Sequence, residues 1–336
     1  MLIEKRSTKI GAALIIFAIL LRLLSSIGSA GVMAARQEET VAQGALPRPT
    51  AGALQPTEKP VETPAEKPSQ PTVPTPTVPP APVVTFSDAD MPFVRVQYAS
   101  DCSYRPDLLS LLQKRLDWDL SGDSPTVLIL HTHASESYTR QPGQDYQETA
   151  DYRTLDESYN MLAVGDCLTR LLTEAGICVL HDRQIHDYPS YTAAYSNSRD
   201  AVRQYLAQYP TIQVVLDLHR DAALNADGSQ YATSVTVQGK KVAQLMLVVG
   251  TNASGNYHPD WQENLAAALK LQVLLEKQAP GITRRTILRA QRFNHDLSPG
   301  AMIVEVGTAG NTLEEAMGAI PVLAQALTQL IRGANP

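Results

Sequence analysis

Cysteine, aromatic residues and surplus positive charge are all scarce in this chain. Its three cysteines, Cys102, Cys167 and Cys178, are odd in number and show no C-x-x-C or Cys/His ligand spacing, which excludes a disulfide framework and a zinc knuckle. A formal net charge of -6 leaves no basic stripe to neutralise phosphates, so nucleic acid is excluded as a partner. Aromatics make up only 6% of the residues, but apolar residues make up 44% of 336, enough for a sizeable core. A clean apolar run of the roughly 20 residues that a spanning helix wants is also missing. What stands in its place is Lys5, Arg6 and Lys9, then an apolar stretch over 10–21, then Arg22, Leu23 and Leu24. Residues 1–28 therefore read as an export signal or a single-pass membrane anchor, with Ser29, Ala30, Ala34 and Ala35 offering a cleavage site in the first case. The basic flank places the rest of the chain outside the cytoplasm.

Twelve of the 23 prolines fall between Ala42 and Val84, among Thr, Glu, Lys and Ala, a composition that cannot bury enough to fold. Residues 29–85 read as a disordered linker, and Pro-rich chain extends about 3 Å per residue, a reach suited to a substrate lying away from the membrane. The folded domain is expected over 86–333. Apolar runs at 127–130, 177–180, 214–218, 244–249 and 302–306 read as strands, and the 3.6-residue period over 156–175, 191–208, 260–278 and 312–331 reads as helices. Strands alternating with helices predict a three-layer α/β domain, a mostly parallel sheet with helices on both faces. In such sheets, sites gather at the carboxyl ends of the strands.

Four clusters at such positions could carry chemistry. The first is VLILHTHASES, residues 127–137, where a buried strand runs straight into His131 and His133, with Glu136 three residues on. One imidazole could bind a metal and the other orient it, or both could be structural. The second is VVLDLHRDA, which places Asp217 and His219 at a strand end. A zinc ligand with an acceptor for its second ring nitrogen has this form, and so has an ion pair with a bystander histidine. The third is Glu305 in AMIVEVG. A carboxylate inside an apolar strand is costly unless it faces a cavity, a metal or a water, and a raised pKa suits it to act as a general base. The fourth is the helix start with Asp156 and Glu157, either of which could cap the helix or point toward the strand-end histidines. Two histidines and one carboxylate leave a fourth position for water, as catalytic zinc sites require.

With these residues laid out, the chain resembles the stage II sporulation protein P family, membrane-anchored peptidoglycan hydrolases. The matching stretches include VLILHTHASESY, SYTAAYSNSRDAV, DLHRDA, VGTNASGNYHPDWQEN and NHDLSPGAMIVEVGTAGNTLEEA, in order along the whole chain after the linker. That family is in turn similar to zinc N-acetylmuramoyl-L-alanine amidases. The resemblance implies Zn2+ on His133, Asp156 and His219, with Glu305 as base. His131, Glu157 and Asp217 become alternative ligands or supports. It implies that His258, Trp261, Asn264, Asn294 and Asp296 line a glycopeptide groove, with Trp261 either stacking on sugar or buried in the core. It further implies amidase activity on peptidoglycan during engulfment, a second, peptide-cleaving activity, and a glycan-cleaving partner in a membrane complex. Two other readings fit the same letters: a wall-binding scaffold without turnover, and another H-x-H metallohydrolase using both His131 and His133.

Overall fold

The computed structural model describes residues 84–120 and 123–334. The expected anchor at 1–28 and nearly all of the linker lie outside them. In chain order the elements are β1 (Val96–Tyr98), α1 (Leu108–Gln113), β2 (Val127–Leu130), β3 (Glu148–Ala150), β4 (Arg153–Thr154), α2 (Met161–Glu174), β5 (Val179–His181), α3 (Ala194–Gln208), β6 (Val214–Asp221), β7 (Ser234–Val237), β8 (Lys240–Ala243), β9 (Leu245–Gly250), α4 (Trp261–Gln278), β10 (Thr286–Arg289), β11 (Gly300–Thr308) and α5 (Leu313–Ala334). Among the described residues no helix is long and apolar enough to cross a membrane.

Seven strands form one mixed sheet in the order β1-β10-β9-β11-β6-β2-β5. All neighbours pair in parallel except β11 with β9, which are antiparallel. The expectation of a mostly parallel sheet holds pair by pair, but the strand direction reverses once, in the middle. The sheet is therefore two parallel blocks joined back to front.

Side chains alternate across a strand, and here the alternation separates packing from chemistry. Leu216 and Leu218 of β6 and Val304 and Val306 of β11 join the main core with apolar faces of α2, α4 and α5. Helix α4 is buried almost all round. The opposite face carries Val215, Asp217 and His219 on β6, in register with Ala301, Ile303 and Glu305 on β11. Helix α3 covers only part of this face, through Val202, Tyr205 and Leu206 on Leu128, Leu130, Val215 and Ala301. Over β9, β10 and β11 a separate small cluster of Met246, Val248 and Ile303 meets Ile287 and Phe293. No described helix packs there, so the expected helical cover on both faces is only half realised.

The starts of α2 and α5 follow side-chain caps. Asn160 accepts from Leu162 N and opens α2, five residues after the expected start at 156, because an amide placed there satisfies the first turn. Thr312 and Glu315 cap α5 reciprocally, Glu315 N donating to Thr312 Oγ1 and Thr312 N to Glu315 Oε2.

Candidate metal centre

β2 ends at Leu130 and the chain turns at once: Glu136 N donates to His133 O at 3.1 Å, which puts the side chains of His133 and Glu136 on one side of the turn. His219 arrives from the end of β6. His133 Nδ1 lies 3.7 Å from Glu136 Oε1, and His219 Nδ1 lies 3.4 Å from Glu136 Oε2. The two imidazoles meet edge to face at 5.1 Å. One donor atom from each of His133, Glu136 and His219 lies within 4.8 Å of the others, and all three residues are buried.

The surroundings fix these groups in charge and orientation. Burial alone would raise the Glu136 carboxyl, but Arg220, His219 and His133 outweigh it and hold the group well below the usual carboxylate range. Arg220 N donates to Glu136 Oε2 at 3.2 Å, and Arg153 Nη2 donates to Oε1 at 3.2 Å. Burial favours the neutral ring of His219. Asp217 and Glu136, one beside each nitrogen, overcome this and hold its pKa well above the usual value. His219 Nε2 stands 2.9 Å from Asp217 Oδ1, off the line of a hydrogen bond. Asp217 is itself held by Thr132 N at 2.7 Å and Thr132 Oγ1 at 2.6 Å. Burial raises the Asp217 carboxyl, but His219 and Thr132 bring it down to about 2.

Glu305 sits across from His219 in the β11/β6 register. Its Oε2 is sealed and has no hydrogen-bond partner among the described residues, and burial raises its pKa to about 8. These groups line a cavity of about 290 Å³ together with Tyr191, Tyr195 and Arg153. Tyr191 stacks on the His133 ring at 4.6 Å, Tyr195 meets it edge-on at 5.6 Å, and Arg153 lies over Tyr191 at 4.7 Å. Burial, then Asp217, Glu305 and Glu136, push the Tyr195 phenol far up, so it stays a donor at neutral pH.

The structure thus gathers His133, His219 and Glu305, and it places Glu136 rather than Asp156 beside both rings. Asp156 lies before α2, where its Oδ1 accepts from Ser158 N at 3.0 Å in a local turn. Glu157 pairs with Arg183 near the surface. His131 turns away: Nδ1 meets Leu218 O at 3.0 Å and Nε2 meets His181 Nε2 at 2.9 Å, so it packs and orients the strand end. Burial, then His181, lowers its pKa to about 3.

The expected glycopeptide groove separates into parts. Trp261 is buried and stacks on Tyr104 at 5.0 Å, so its indole belongs to the core. Asn294 donates to Tyr195 O and Ser198 Oγ, while Asp296 takes both ends of the Arg199 guanidinium at 2.6 and 2.7 Å. These bonds tie the loop before β11 to α3. His258, Asn264 and Asp296 line a second cavity, of about 220 Å³, beside His295. Glu136, Arg153, Tyr191 and Tyr195 were missed as site residues. The spacing of His133 and Glu136, three apart in a tight turn, is the one available signal; Arg153 comes from the two-residue β4, and Tyr191 and Tyr195 from the start of a helix whose period marks packing and not a site.

A mixed α/β domain with a buried cluster of two histidines and one carboxylate at its strand ends is the class that fold and site define. Within it, the chain belongs to the Stage II sporulation protein P (SpoIIP) family, whose family model matches residues 46–328. It is 28% identical over 222 residues to the Stage II sporulation protein P of Bacillus subtilis (strain 168), a match covering 62% of this chain and 52% of that protein. The chain thus spans about half the length of that relative. Among solved structures it is similar to the CwlD amidase from Clostridioides difficile in complex with the GerS lipoprotein, at 13% identity over 62% of this chain and 98% of that one, with a TM-score of 0.37. It is also similar to the apo form of the N-acetylmuramyl-L-alanine amidase Ami1 from Mycobacterium abscessus, at 12% identity over 63% and 99%, with a TM-score of 0.37.

Proposed function

We propose that the protein is a metal-dependent peptidoglycan hydrolase that cleaves the amide between the muramyl lactyl group and L-alanine. Family membership supports the substrate. The observation that carries the chemistry is the convergence of His133, Glu136 and His219 within 4.8 Å in a cavity that Glu305, paired with His219 in the strand register, also lines.

The donor set fits a zinc ion: two imidazole nitrogens and one carboxylate oxygen are a common catalytic combination, and the Asp217 carboxylate stands 2.9 Å from the far nitrogen of His219, on the side where ligand histidines carry an acceptor. A bound Zn2+ would polarise the scissile carbonyl and make water a better nucleophile. Arg220 and Arg153 keep Glu136 ionised and aimed. Glu305 takes a proton from the attacking water as oxygen adds to the carbonyl carbon. It returns that proton to the alanine nitrogen as the C–N bond breaks, leaving a free lactyl carboxyl and a free amine. A carboxyl whose pKa burial raises to about 8 lies close enough to neutral pH to take and return a proton. The phenol of Tyr195 and the rings of Tyr191 and Phe293 narrow the approach and limit water.

In this reading residues 1–28 anchor the chain in the cell membrane, the linker lets the domain reach the wall on the extracytoplasmic side, and the setting is engulfment, with a glycan-cleaving enzyme as partner. The test is digestion of purified sacculi with mass spectrometry of the products. Release of intact stem peptides, abolished by a chelator and restored by zinc, is expected. Binding to sacculi without release would replace the hydrolase by a scaffold, and cleavage only within the peptides would replace the amidase by an endopeptidase.

A further inference from the structure

The cavity does not end at the metal-site residues. On the same sheet face it continues over Met246, Val248, Ile287 and Ile303, the apolar patch that no described helix covers, and Arg289 lines it too. Register fixes this path: Glu305 pairs with Met246, Ile303 with Val248, Val248 with Ile287 and Gly250 with Arg289. The chain-direction reversal between β11 and β9 is what sets a β10 carboxyl end far from Glu305 yet on its face. By strand geometry the Cα positions of Glu305 and Arg289 are about 16 Å apart, and an arginine side chain spans part of that distance.

Three arginines line the cavity. Arg153 is taken by Glu136 and Asp187, and Arg220 by Glu136 and the carbonyls of Ser137 and Tyr152. Arg289 differs: its Nε donates to Gln291 Oε1 at 3.3 Å, and no carboxylate pairs with it among the described residues. Gln291 is fixed in turn by Asp101 at 2.7 Å. Beside Arg289, the backbone of residues 291–292 crosses Gly250 so closely that a Cβ there would stand 2.4 Å from Gln291 O. Phe293, in the left-handed region at φ 55°, turns its ring onto the apolar floor. An apolar trough ending on an unpaired guanidinium suits an extended chain with a carboxylate at one position.

We propose that this trough is the subsite for the stem peptide and that Arg289 selects a carboxylate about three residues along the peptide from the scissile amide, the distance that extended chain covers before reaching the guanidinium. The proposal rests on the peptidoglycan reading and names the part of the substrate that Arg289 recognises. Arg289 is a specificity-determining residue, outside the proton transfers.

The test uses two synthetic muramyl peptides differing only in a carboxylate or a carboxamide on the third residue, with binding measured calorimetrically and cleavage in parallel. The full-length protein is expected to bind the carboxylate form about tenfold or more tightly, as suits a charge-assisted hydrogen bond. Arg289→Gln loses that preference, raising KM for the carboxylate form with little change in kcat, and Arg289→Lys restores part of it. Equal binding of both forms by the unaltered protein, or a preference that survives in Arg289→Gln, overturns the proposal. Cleavage without discrimination keeps the hydrolase and rejects the subsite, whereas discriminating binding without cleavage does the reverse.

Discussion

The two faces of the central sheet are made from alternate residues of the same strands and are put to opposite uses. On β6, Leu216 and Leu218 are fully buried under helices, while on the other face His219 lines a cavity and Asp217 is buried beside it, held by Thr132. On β11, Val304 and Val306 pack while Ile303 and Glu305 line that cavity. One face is closed by α2, α4 and α5, and supplies the rigidity. The other is closed by α3 over only half its width, and charge density is concentrated where helical cover stops. A strand with both faces under helices reads as a continuous apolar run; the interruption of such a run by Asp217, His219 and Glu305 marks where the second helical layer ends.

The contrast can be broken from the cavity side first. Glu305→Gln keeps shape but removes the proton acceptor, so kcat on sacculi is expected to fall about 10²- to 10⁴-fold, with folding and metal content unchanged; a variant retaining half its rate would remove Glu305 from the mechanism. On the packed face, Leu218→Ala is expected to cost about 2–5 kcal/mol of stability, read from urea unfolding. Its metal affinity should be nearly unaltered, because the side chain points away from the cavity. Asp217→Asn sits between these cases: its neighbour His219 loses a charged support, and about 10- to 100-fold weaker metal binding is expected from competitive chelator titration.

The smallest effect sharpens the helical side. Lys270 of α4 donates to Leu111 O and Leu112 O at 3.2 and 2.5 Å, and burial pushes its pKa down to about 8. A depressed lysine withholds stability when it must be charged, so its contribution is present above the unfolded pKa and is lost as pH falls from there through about 8. Relative to Lys270→Met, the unaltered protein should gain in urea midpoint between pH 7 and pH 10. A difference that stays constant over that range contradicts this account of Lys270.

Much of the fold was legible because apolar strand runs and helical periods are long here. All five expected strands and all four expected helices exist, β2 with the expected ends and the others with at least one end shifted. β1 and β10 were not read, since VQY and TILR are short and half-buried. The reversal at β11/β9 was not legible either, because an apolar run looks the same whichever way it runs in a sheet. At the site, His219 and Glu305 stand out as polar residues on apolar strands, and His133 as an imidazole just past the end of one. Glu136 does not, since its position depends on a turn that the letters HTHASE do not announce, and Asp156, which the resemblance puts on the metal, lies in a local turn before α2.

Whether Glu136 or Asp156 completes the cluster is decided by zinc titration of metal-free protein carrying Glu136→Ala or Asp156→Ala, with stoichiometry read by calorimetry. The structure predicts one ion per chain in the unaltered protein and in Asp156→Ala, and loss of tight binding in Glu136→Ala. Tight binding that survives in Glu136→Ala and disappears in Asp156→Ala would contradict the site described above.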